Sequence, residues 1–85
     1  MKAVRDCLEE IYERFPKALL FDGEEEYDKA TVFGKLSNCM NEEASVEWWT
    51  EEFMEEYGVA GNVVINGQVE FNIFPMLELH RIDFQ

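Results

Sequence analysis

The residues of this 85-residue chain that could do chemistry are one histidine, two cysteines and 19 acidic side chains. His80 stands beside Arg81, and no serine or cysteine lies in a nucleophile context such as Gly-x-Ser-x-Gly, so no nucleophile and base can be paired from the sequence. Cys7 and Cys39 are not spaced as a redox or zinc pair, and they read as small buried thiols in a reducing compartment. Carboxylates are abundant, but acid–base work needs one acid held in an apolar pocket that shifts its pKa. No pair is marked out for that role. The expectation is therefore a non-enzyme with no catalytic residues; a small enzyme with an unrecognised carboxylate pair is the minor alternative.

Asp22, Glu24, Glu26 and Asp28 alternate as oxygen ligands might. The segment fails the calcium-loop pattern, because its glycine directly follows the first acid and no glutamate closes the loop. Neither a metal nor a cofactor is expected. Glu24, Glu25, Glu26 and Asp28 read instead as a secondary acidic loop, solvated by like charge. Phosphate-cradling glycine motifs are absent, and a net charge of -12 has the wrong sign for direct nucleic-acid binding.

The distribution of charge narrows the choice. Between Lys35 and Arg81 there is no Lys or Arg, while the same interval holds Glu42, Glu43, Glu47, Glu51, Glu52, Glu55, Glu56, Glu70 and Glu78. The spacing predicts a helix over residues 45–57, capped by Ser45 and ended by Gly58, with Val46, Trp49, Phe53 and Tyr57 as its buried stripe. Glu43, Glu47, Glu51 and Glu55 then form one row, and Glu52 and Glu56 a second. Like charges at that spacing cost a few tenths of a kcal/mol per pair, where lysines would have given attraction. The bland account is a solvated face that aids solubility. The sharper one is a recognition surface for a basic groove, with Trp48 as an anchor at its margin or as a residue of the core edge. In size and charge the chain resembles the small acidic inhibitors of phages and mobile elements, DNA mimics and anti-CRISPR proteins among them. No motif carries that likeness, and it assigns no residue a role.

The elements that must position these groups are legible in part. Val4, Cys7, Leu8, Ile11, Tyr12 and Phe15 predict an amphipathic helix stopped by Pro16. Residues 18–21 are an apolar run without a decisive period, and residues 30–40 favour a short helix. Asn66-Gly67 predicts a two-residue hairpin pairing Ile65 with Gln68 and Val64 with Val69. That register puts Val64, Val69, Phe71 and Ile73 on the core side, with Val63, Ile65, Glu70, Asn72 and Phe74 outside. A third strand over 77–84, bulged near His80, would complete it. The expected fold is a single α+β domain over residues 1–85, with N-terminal helices and the acidic helix packed on a three-stranded antiparallel β-meander.

The function expected is that of a small, cytoplasmic, acidic inhibitor that binds the basic nucleic-acid-binding face of a partner protein. The alternative is a structural or regulatory interaction domain, monomeric or homodimeric through its sheet, using Val63, Ile65 and Phe74 as an apolar contact surface. A halophilic origin would also explain the charge, though glutamate greatly exceeds aspartate. No apolar run reaches the roughly 18 residues needed to cross a bilayer.

Overall fold

The N-terminal periodicity becomes a helix that buries Val4, Cys7, Leu8, Ile11 and Tyr12 and ends just before Pro16. In the computed structural model, which describes residues 2–75, this helix α1 (Val4–Arg14) follows strand β1 (Lys2–Ala3). Strands β2 (Leu19–Asp22) and β3 (Glu25–Tyr27), helix α2 (Lys29–Lys35) and a 3-10 turn (Ser37–Cys39) come next. Strand β4 (Glu43–Trp48), helix α3 (Glu51–Tyr57) and strands β5 (Gly61–Ile65) and β6 (Gln68–Phe74) complete the order. The class is α+β, but the sheet has six antiparallel strands in the order β1-β4-β5-β6-β2-β3, where three were expected.

Besides the two-residue β1, the added strands come from three places. The apolar run at 18–21 is largely β2, and the expected acidic loop is instead a hairpin, with β3 returning along β2 after a two-residue turn at Gly23 (φ 64°) and Glu24. The third source is the first half of the expected acidic helix. Residues 43–48 are strand β4, and helix α3 starts only at Glu51, capped by Thr50 rather than Ser45. Thr50 Oγ1 accepts the Phe53 N–H at 3.2 Å. Gly58 ends the helix as expected, left-handed at φ 78°. The expected strand at 77–84, with His80, lies outside the described residues.

The Asn66-Gly67 hairpin forms, with φ of 52° and 82° and the pairs Ile65–Gln68 and Val64–Val69. The expected core face holds for Phe71 and Ile73 and fails for Val64 and Val69, in whose place Val63 and Ile65 face inward. Beyond Val64 the register shifts and Val63 pairs with Phe71, which leaves Glu70 as an extra residue on β6. A bulge of this kind reverses which side later residues face. Val63, Ile65, Phe71 and Ile73 are buried, and Val69 is 56% exposed. The apolar outer surface expected of Val63, Ile65 and Phe74 therefore does not exist; Phe74 itself is half-buried, its ring 4.7 Å from that of Phe21.

Pairing across the sheet sorts the side chains into two faces. Trp48, Gly61, Ile73, Leu20 and Tyr27 are successive partners in one row, and Val46, Val63 and Phe71 in the next. These lie on the side where α1 packs against β1 and β4, and α2 against β2 and β3. The opposite face carries the row Glu47, Asn62, Asn72, Phe21 and Glu26, a carboxylate at each end. At its centre Asn72 Nδ2 donates to Oδ1 of the buried Asn62 at 2.6 Å, which satisfies that oxygen.

Candidate functional site

Two adjacent tryptophans divide between the two faces, because successive side chains of a strand point to opposite sides. Trp48 belongs to the core side. Its indole Nε1 donates to Glu10 Oε2 at 2.9 Å, and the Arg14 guanidinium lies 4.4 Å above its ring. Glu10 is in turn paired with Lys2, and the hydrogen bond from Lys2, followed by that from Trp48, holds its carboxyl below the usual range. Of the two roles foreseen for Trp48, the geometry matches the residue of the core edge.

Trp49, expected inside, is 39% exposed. It stacks on Phe53 with centroids 3.9 Å apart and planes 24° apart, and Phe53 continues to Tyr57 at 4.5 Å. Tyr57 is 58% exposed, and α3 holds no fully buried residue. The stripe expected to be buried is thus an aromatic ladder reaching into solvent. Only Met54, on another side of the helix, packs partly against the core.

The acidic residues are redistributed by the same change. Glu43 and Glu47 lie on the outer face of β4 with Ser45 between them, roughly 13 Å apart along a strand. Glu51, Glu52, Glu55 and Glu56 lie on α3, where a step of about 100° per residue puts Glu52 and Glu56 beside the ladder and Glu51 and Glu55 behind it. The single row of four is broken, but all six carboxylates are exposed. Among the described residues, none of them forms an ion pair. The expected secondary acidic residues are spread around the β2–β3 hairpin: Glu24 in the turn, Glu25 and Glu26 on β3, and Asp28 as the cap of α2. Asp28 Oδ1 accepts the Thr31 N–H at 2.9 Å, and this contact holds its carboxyl below the usual range.

Where β4 gives way to α3, an open groove of about 380 Å³ is lined by Glu47, Trp48, Trp49, Thr50, Phe53 and Asn62. Its walls are mostly aromatic, and Glu47 supplies a carboxylate. Asn62 is only 8% exposed, and its Nδ2 donates to no group among the described residues. Gly61 sets the close approach beneath it, since a Cβ there would lie 2.3 Å from the Glu47 carbonyl oxygen. The sequence-based expectations did not include Trp49, Phe53 and Asn62 as groove-lining residues. The signal that finds them is the alternation Glu43-Ala44-Ser45-Val46-Glu47-Trp48, which is polar-out and apolar-in for a strand.

Other reactive groups are quiet. Cys7 is buried and Cys39 half-buried, both free, and burial pushes both thiols up, away from the reactive thiolate. Among the described residues no group of three His, Cys, Asp or Glu side chains is disposed to hold a metal ion, and no helix is long and apolar enough to cross a membrane. No family model matches the chain, and comparisons with curated proteins and with solved structures find no significant match.

Proposed function

We propose that this is a non-enzymatic, cytoplasmic binding protein that presents its β4–α3 acidic surface to the basic nucleic-acid-binding face of a partner, blocking it as a nucleic-acid mimic. Phage-encoded anti-CRISPR proteins, which the chain resembles in size and charge, give the type of activity. The observation that carries this reading is the set of six exposed carboxylates, Glu43, Glu47, Glu51, Glu52, Glu55 and Glu56, which form no ion pair among the described residues, with Glu52 and Glu56 flanking exposed aromatic rings. Folding does not need that charge; the core lies on the other face of the sheet. Carboxylates with a local surplus of like neighbours gain most from a cationic partner, and long-range attraction speeds the encounter.

The test is capture by the immobilised protein from a lysate rich in nucleic-acid enzymes, at low and high salt and with competing duplex DNA. The expected result is a basic nucleic-acid-binding protein displaced both by DNA and by salt, and not retained by the Glu47→Lys, Glu51→Lys, Glu55→Lys variant. Capture indifferent to salt, DNA and charge reversal overturns the reading.

A second reading, self-association through the sheet, is favoured by one feature of β4. The Glu42 carbonyl accepts from Val4 N–H toward β1, and Trp49 N–H donates to Ala60 on the other side, so the backbone groups of Val46 and Trp48 point outward beyond the two-residue β1. Open strand edges of this kind pair readily with another chain. Light scattering that gives a monomer at high concentration removes it.

A further inference from the structure

The molecule contains one finished arrangement of arginine, tryptophan and glutamate and one unfinished. At Trp48 the Arg14 guanidinium covers the ring at 4.4 Å while Glu10 holds the indole at 2.9 Å. One residue further on, Trp49 also has a carboxylate beside its groove, that of Glu47, but no cation lies over its ring among the described residues. We propose that the groove between Glu47, Trp49 and Phe53 takes the side chain of an arginine presented by the partner polypeptide. This rests on the acidic-surface reading above and names the residue that the surface selects.

Three features fix the occupant. The surrounding carboxylates make a cation the complementary charge. A planar guanidinium stacks on an indole and meets a carboxylate with two parallel N–H groups, which the compact ammonium of lysine does not match. The nearly buried Asn62, whose Nδ2 has no acceptor among the described residues, supplies a donor to the same groove. That donor is open to solvent in the groove, and a main-chain carbonyl is the acceptor an extended peptide brings to it. A free cation offers none. The occupant is therefore arginine within a polypeptide, not a polyamine.

The experiment uses the full chain and two synthetic nonapeptides of equal charge, one rich in arginine and one in lysine, titrated at low salt. The side-chain amide signal of Asn62 and the indole signal of Trp49 are followed by NMR. The arginine peptide should shift both signals and bind roughly two- to fivefold more tightly than the lysine peptide, a preference erased in Trp49→Ala and in Glu47→Gln. Both variants alter exposed side chains, and either alone suffices if the other disturbs the fold. Equal affinity for the two peptides, unchanged by either substitution, overturns the groove assignment and leaves the acidic surface as a diffuse cation binder. Binding of neither peptide overturns both.

Discussion

On the α1 side of the sheet acids and bases are interspersed and some of them pair, whereas on the β4–α3 surface the acids stand without cations among the described residues. Glu10 has Lys2 and the Trp48 indole, and Arg14 has two aromatic rings, whereas Glu47 and the glutamates of α3 have no cation among the described residues. The difference separates two tasks within one layer of strands. The covered face supplies the apolar burial that holds the chain folded. The outer face, with its aromatic ladder, contributes little to that burial and is left free to recognise something else.

The sharpest way to break this comparison is to truncate residues two apart on the same strand. Phe71→Ala, on the covered face, should cost about 3–5 kcal/mol in denaturant unfolding, and Val69→Ala, across the bulge, under about 1 kcal/mol. Similar losses at both positions would mean the outer face also stabilises the fold. Alkali tests the covered face next. Burial, with a smaller effect of Asp28, pushes the Tyr12 phenol up to about 12, and its hydroxyl has no partner among the described residues. A folded pKa above the unfolded value of about 10 means the contribution is complete below pH 10 and disappears as pH rises to about 12. The expected loss across that window is about 2–3 kcal/mol, absent in Tyr12→Phe, as measured by urea titration at each pH. Gly61→Ala should cost about 1–3 kcal/mol by forcing β5 away from the Glu47 carbonyl, and thermal unfolding reads it. The smallest effect has the opposite sign. Glu55→Lys replaces repulsion with Glu51 by attraction and suits the helix C-terminus, so stability should rise by a few tenths of a kcal/mol while partner binding weakens.

Helix α1 was legible because its period and Pro16 agree, and the hairpin because Asn66-Gly67 admits few other turns. Strand β4 was misread for a definite reason. Residues four apart share a face in a helix and in a strand alike, so Glu43 and Glu47 fit both, and the continuation of the spacing to Glu51 and Glu55 favoured the longer helix. The decisive sign lay in the apolar Ala44, Val46 and Trp48 alternating with them and in Thr50 as the cap. That one misreading exchanged Trp48 and Trp49, inside for outside. The bulge at Glu70 left no such trace, since Val63 and Val64 are equally apolar and only the register separates them. The acidic character of the site was therefore readable from composition, while its groove was not.

The strand order also sets a timetable. β6 is late in the chain yet sits between β5 and β2, joining Leu19 to Phe74, and β1 closes on β4 across some forty intervening positions. On a ribosome, the β2–β3 hairpin must wait, one side unpaired, until residues 68–74 have emerged to bridge it to β5. Such distant pairings are slow to close. A nascent chain thus leaves this sheet open until β6 has emerged, and only then can its two halves be joined.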